Sequence, residues 1–190
     1  MKNISFYLIF LVVGVIIVLV VLPGRIKVYS IREMAGKDRI SVTGGAKEAP
    51  KMEINNFKLM QTSGKKKQWE LVADRAIEYE SGNEVQIYNA VINFFKNDKL
   101  ALILKADQGL IYLGSSDIKM RGNVNAVTPD SMSLITDSLT WLSRKEKLVT
   151  DDKIVITRGG TRIEGIGLEA DPGLGKLNIK KDVHVKVPRD

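Results

Sequence analysis

Apolar and polar residues alternate with a period of two along most of the chain after Pro50. The clearest examples are three triplets of alternating residues: Trp69, Leu71 and Ala73; Leu100, Leu102 and Leu104; Val183, Val185 and Val187. Successive side chains of a β-strand point to opposite faces, so this pattern predicts strands with one buried face. No stretch in this part of the chain has a convincing helical period. The pattern therefore predicts an all-β domain over residues 51–190.

Turn sequences separate the predicted strands and indicate hairpins. They are Ser63-Gly64, Ser81-Gly82-Asn83, Asn97-Asp98, Gly114-Ser115, Thr128-Pro129-Asp130, Gly159-Gly160 and Pro172-Gly173. The segments 85–95 and 100–104 are apolar on both faces, which a sheet with one fully hydrated face would not tolerate. Two packed antiparallel sheets, or one rolled sheet, are therefore expected.

A short motif, L-x-A-D-x-x-[IL]-x-Y, occurs at 71–79 and again at 104–112. Looser copies that keep only L-x-[AT]-D begin at Leu134, Leu148 and Leu168, which suggests a repeated strand-turn-strand unit. Short carboxylates often bond to local backbone N–H groups where a chain bends. We therefore expect the motif aspartates to be corner residues rather than catalytic groups: Asp74, Asp107, Asp137, Asp151 and Asp171.

The segment from Ile4 to Leu22 contains no charged residue. As a helix it would span about 28 Å, close to the thickness of a hydrocarbon core. A cleaved signal peptide is the alternative, but its apolar region is usually about 7–15 residues long and it ends in a small-x-small site, which is absent here. We expect an uncleaved anchor within residues 1–24. A polar segment, 25–50, then serves as a tether and could include a loosely held first strand.

The formal net charge of +7 suggests an anionic partner without identifying it. Five basic residues follow the predicted anchor closely: Arg25, Lys27, Arg32, Lys37 and Arg39. By the positive-inside rule alone, this count would favour a cytoplasmic domain.

Groups for catalysis are scarce in the sequence. There is no cysteine, and His184 is the single histidine, so catalytic triads and multi-histidine metal sites are not expected. No phosphate-binding glycine loop is present. The run 65–67 of three lysines is typical of a solvated turn, and contact with lipid phosphates is the alternative. The aromatic residues follow the apolar register, which argues against nucleic-acid binding. We expect a protein that is not an enzyme and that needs no cofactor or metal.

The order of these features resembles the LptC family of lipopolysaccharide-export proteins. The matching segments are 71–79, 104–112, 120–127 (MRGNVNAV), 134–142 (LITDSLTWL), 148–156 and 163–171 (IEGIGLEAD). The resemblance implies a V-shaped periplasmic β-jellyroll on a single inner-membrane anchor, and this outweighs the charge count. It also implies three partners: lipopolysaccharide, an inner-membrane ABC transporter complex that supplies it, and a soluble periplasmic jellyroll bridge protein that accepts it.

Alternation gives the residues that we expect to line a lipid groove. They are Phe57, Leu59, Leu71, Ile77, Tyr79, Ile87, Val91, Leu102, Leu104, Tyr112, Ile118, Val124, Leu134, Trp141, Ile156 and Ile163. The last strand is expected to dock the next protein by strand addition, through Asp182, Val183, His184, Val185, Lys186 and Val187.

Two other functions remain open from the sequence. A membrane-anchored scaffold would link partner proteins without carrying lipid. An anchored hydrolase would need acid and base residues to cluster, and their spacing does not require this.

Overall fold

The computed structural model describes the backbone of residues 26–29 and the residues 50–80 and 82–188. Ten strands form within these ranges. They are β1 (Ile26–Tyr29), β2 (Pro50–Ser63), β3 (Lys66–Tyr79), β4 (Glu84–Lys96), β5 (Lys99–Tyr112), β6 (Asp117–Val127), β7 (Ser133–Leu142), β8 (Lys147–Arg158), β9 (Thr161–Ala170) and β10 (Leu177–Lys186). The predicted all-β class is confirmed.

Each strand pairs antiparallel with its neighbours in sequence, so the strand order across the sheet is β1 to β10. Every predicted turn sequence falls at a junction between consecutive strands. Asn97 and Asp98 have φ values of 52° and 60°, and Gly159 and Gly160 have 53° and 80°. Two consecutive left-handed residues are typical of the type I′ turn, whose twist matches that of a hairpin.

This single sheet folds over on itself. The rings of Phe94 on β4 and Trp141 on β7 lie 5.0 Å apart between centroids, although three strand spacings in a flat sheet would separate their strands by about 14 Å. Lys96 and Asp171, near the ends of β4 and β9, also approach to 3.7 Å. The two layers expected from the sequence are thus parts of one continuous sheet, an arrangement consistent with a jellyroll.

A row of polar and left-handed residues crosses the middle of the sheet, and we call it the kink row. It consists of Asn56, Asp74, Asn89, Asp107, Gly122 with Asn123, Asp137, Asp151, Gly167 and Lys180, which lie opposite one another or in bulges between paired residues. Asn56, Asn89 and Asn123 have φ values of 54°, 51° and 47°. Asparagine tolerates this region better than most residues.

The aspartates of the repeated motif are mostly not corner residues. Asp74 and Asp107 lie within β3 and β5 and accept hydrogen bonds from the side-chain amides of Asn89 (2.9 Å) and Asn123 (2.7 Å) on the next strand. Asp137 and Asp151 also lie within strands. Only Asp171 sits in a turn, where it accepts the backbone N–H of Lys176 at 2.8 Å. The corner prediction was wrong for the other four because the chain bends inside its strands as well as between them.

The N-terminal predictions fall largely outside the described residues. The predicted anchor, 4–22, lies entirely outside the described residues. Within the predicted tether, β1 pairs with residues 58–61 of β2, and β2 begins at Pro50. The described part of the chain has no helix long and apolar enough to cross a membrane.

Candidate functional site

The interior between the two layers is apolar and closed. Twelve of the sixteen predicted groove residues are at most 7% exposed: Phe57, Leu59, Leu71, Ile77, Ile87, Leu102, Leu104, Ile118, Val124, Leu134, Trp141 and Ile156. All except Ile77 belong to one continuous cluster of buried residues, which extends from β2 to the turn after β9. Among the residues whose side chains the structure describes, the buried polar ones are three threonines, Thr128, Thr136 and Thr150.

Four predicted groove residues are only half-buried: Tyr79, Val91, Tyr112 and Ile163. Ile163 still packs against the core. The other three were predicted to face the interior from a strict period of two. This period fails at the kink row. Buried residues are spaced by three there instead of two, as at Ala73 and Ala76, Ile87 and Ala90, Ala106 and Gly109, and Thr136 and Leu139.

The sequence analysis missed several interior residues, and the shift at Asn89 accounts for the two on β4, Ile92 and Phe94. Those below 2% exposure that were not predicted to line the groove include Trp69, Ile92, Phe94, Met120, Leu139 and Leu148. A polar asparagine inside the apolar run 85–95 was the available signal for a change of face. Counting onward from Asn89 with the opposite parity would have found Ile92 and Phe94.

Three aromatic side chains meet in this interior, and we call them the aromatic trio: Trp69, Phe94 and Trp141. Trp69 is the direct register partner of Phe94, whose ring contacts that of Trp141 at an interplanar angle of 59°. Tilted aromatic pairs at this distance are favourable. The trio joins the two layers at the point where β3 and β4 face β7.

The predicted docking strand lies at the end of the sheet. Residues 180–188 are all exposed, and Val183, Val185 and Val187 are 51%, 58% and 68% exposed. The pairing of β10 with β9 is interrupted by a bulge between Lys181 and His184. β10 approaches β9 so closely that a Cβ on Gly165 would come within 2.5 Å of Ile179 Cγ2.

Charged groups lie on the outer surface of these strands rather than in the interior. Lys180 donates to Asp151 at 2.7 Å and lowers the pKa of that carboxyl below its usual value. Arg162 donates to Glu164 at 2.7 Å and likewise lowers the pKa of that carboxyl below its usual value. Exposed pairs of this kind contribute little to stability, and neither pair forms an acid-base or metal constellation.

A shallow depression of about 440 Å³ lies between three turns at one end of the sheet. Its lining includes Lys96, Lys99, Leu100, Pro129 and Asp171. Both signs of charge are present, so the depression has no strong preference for an anion or a cation.

Comparison with known proteins places these features in a family. No curated protein matches the sequence. A family model described as "Lipopolysaccharide-assembly, LptC-related" matches residues 16–187, which is nearly the whole chain. The resemblance inferred from the motifs is thereby confirmed. The chain belongs to the LptC-related family of lipopolysaccharide-assembly proteins, and this membership implies a role in lipopolysaccharide transport.

Proposed function

We propose that the chain carries the acyl chains of lipopolysaccharide through the apolar interior of its folded sheet. The observation that supports this most directly is the continuous apolar cluster from Phe57 on β2 to Leu174 after β9. Hydrocarbon chains require an apolar path, and their transfer breaks no covalent bond. An interior without charged groups therefore suits a protein that carries lipid and performs no catalysis.

In this proposal residues 4–22 form a single inner-membrane span and the sheet lies in the periplasm as a V-shaped jellyroll. An inner-membrane ABC transporter complex supplies the lipid and the energy. Because the interior residues are at most 7% exposed, the two layers have to separate along one edge before a lipid can enter.

The lipid then passes to a soluble periplasmic jellyroll bridge protein that docks on β10. Exposed edge strands are suited to strand addition, and the three exposed valines, Val183, Val185 and Val187, offer an apolar surface beside that edge. The chain lacks cysteine, so a cysteine introduced at His184 can form one defined disulfide with a cysteine on the bridge protein. A cysteine at the exposed Arg121, on the middle strand β6, is the matched control that should not crosslink.

The lipid-carrying function is tested by placing a photoreactive amino acid at an interior and at an exterior position. Leu104 is 0% exposed and Ile135 is 52% exposed on the outer face of β7. In cells with an active ATPase, we expect lipopolysaccharide to be captured at Leu104 and not at Ile135. Equal capture at both positions, or no capture at Leu104 while the ATPase is active, would contradict the proposal.

A membrane-anchored scaffold that carries no lipid is the second candidate. The tight packing of the interior favours it, since a permanently closed core has no room for acyl chains. Under this alternative, disulfide crosslinking through His184 persists while capture at Leu104 is absent under all conditions.

A further inference from the structure

The two tryptophans of the chain bury their indole N–H groups without an acceptor. Trp69 and Trp141 are 1% and 3% exposed, and neither Nε1 atom has a hydrogen-bond partner among the residues that the structure describes. A buried donor without a partner is costly, and native proteins contain few of them. Two such donors in one interior are available to an acceptor from outside the described residues.

Both donors belong to the aromatic trio and flank one ring. Phe94 is paired in register with Trp69 and contacts Trp141. The surrounding cluster is apolar, so no side chain there competes for the two N–H groups. A ligand with a single acceptor group next to a hydrocarbon chain would fit this arrangement chemically.

A polar seam between the layers involves two neighbours of Trp69. Gln61 is the register partner of Trp69, and its Oε1 accepts from Ser143 Oγ at 3.5 Å. Gln68, next to Trp69 in sequence, donates to Glu146 at 3.0 Å. The first of these bonds is long and part-buried and the second is exposed, so little free energy opposes their separation. A lipid with its chains in the interior would place its polar end at this seam.

We propose that Trp69 and Trp141 form a subsite for the carbonyl oxygen of an acyl ester or amide, the first polar group of a lipid chain that enters the interior. This inference rests on the proposed function, because the lipid has to reach the interior. A neutral carbonyl is favoured over a phosphate because a charged group would be buried there without a counterion. The buried polar residues of the described interior are threonines only.

The test compares two lysophospholipids with the same headgroup and chain length, one with an ester-linked chain and one with an ether-linked chain that lacks the carbonyl. Binding is measured on the full-length chain in amphipol for the wild type, Trp69→Phe, Trp141→Phe and the double variant. Phenylalanine keeps an aromatic ring and removes the donor. Any loss of packing should weaken both lipids alike, so the ester-to-ether affinity ratio is the readout.

We expect the wild type to bind the ester lipid roughly two- to tenfold more tightly than the ether lipid, as one or two hydrogen bonds would give. This ratio should fall towards one in the double variant. In each single variant the remaining tryptophan is the only one in the chain, and its resonance Raman spectrum should report a new N–H hydrogen bond with the ester lipid alone.

Three results would overturn the inference. A ratio and two affinities that are all unchanged in the double variant would show that the indoles do not contact the carbonyl. Equal weakening of both lipids would assign the donors to packing or to the phosphate. Failure of the wild type to bind either lipid would reject the lipid-carrying function together with the subsite, which separates that outcome from the first two.

Discussion

Asn89, held at a φ of 51°, donates its side-chain amide to Asp74 of the preceding strand at 2.9 Å. The same relationship recurs two strands later between Asn123 and Asp107. In both pairs the aspartate belongs to the repeated motif L-x-A-D. The motif therefore marks the acceptor that fixes a left-handed asparagine on the next strand, and with it the bend of the sheet.

Replacement of Asn89 should reveal the strain at this bend. Asn89→Val removes the bond to Asp74 and places a β-branched residue at a left-handed φ, so we expect a loss of about 2 kcal/mol in the free energy of unfolding. Asn89→Gly also loses the bond but relieves the strain, and it should cost less than about 1 kcal/mol. Urea denaturation of the full-length chain in detergent measures both. Equal losses would contradict a conformational role.

The change of face at Asn89 predicts losses of stability of different size at two adjacent residues. Ile92 is 0% exposed, and Ile92→Ala should cost about 2–5 kcal/mol through lost burial and a cavity. Val91 lies half-buried on the outer face, so Val91→Ala should cost less than about 1 kcal/mol. The same denaturation assay compares them. A larger loss at Val91 would mean that β4 keeps a strict period of two.

Contact between the layers can be measured through Phe94 and Trp141. A double-mutant cycle with Phe94→Leu and Trp141→Leu should give a coupling energy of about 0.5–1.5 kcal/mol, because tilted rings attract beyond their buried area. A second cycle that combines Phe94→Leu with a substitution of Leu148, which is buried outside the trio, is the control. Additive effects for Phe94 and Trp141 would contradict the folded sheet.

Gly165 should be needed for β10 to stay paired. A Cβ there would come within 2.5 Å of Ile179 Cγ2 and 3.3 Å of the Lys181 carbonyl oxygen, so Gly165→Ala should push β10 away from β9. Amide hydrogen exchange in β10 should then become faster, with little change in β3 or β4. Gly173→Ala is the matched control, because its nearest neighbour would lie at 3.8 Å. Unchanged exchange in β10 would refute this close approach.

Glu70 should make part of the stability depend on pH. Lys67 donates to it at 2.6 Å and lowers the pKa of Glu70 below its ordinary value of 4.5. A carboxyl whose pKa is depressed by folding stabilises the fold fully above its unfolded pKa and loses this contribution as the pH falls through the folded value. The slope of unfolding free energy against pH below about 4.5 should therefore be smaller in Glu70→Gln. An identical slope would show that the pair does not form.

The sequence predicted what depends on local pattern. Leu71 and Leu104 were assigned to the interior because period-two alternation holds over the first half of their strands, and Asn97-Asp98 was recognised as a turn from its composition. Val91 and Tyr112 were assigned to the wrong face because a left-handed residue or bulge precedes each of them. Such an irregularity reverses the faces of the residues that follow it in the same strand. The contact between Phe94 and Trp141 could not be predicted, since it depends on how far the whole sheet bends.

Every hydrogen-bonded pairing in the described sheet joins strands that are neighbours in sequence. Such a sheet closes only short loops as it forms, and short loops cost little chain entropy. Each new hairpin can add to the one before it as the chain is synthesised from its N-terminus. The contact between Phe94 and Trp141 joins strands that are three apart in sequence, so it closes a longer loop than any hairpin. This pair would therefore report the meeting of the two layers during folding.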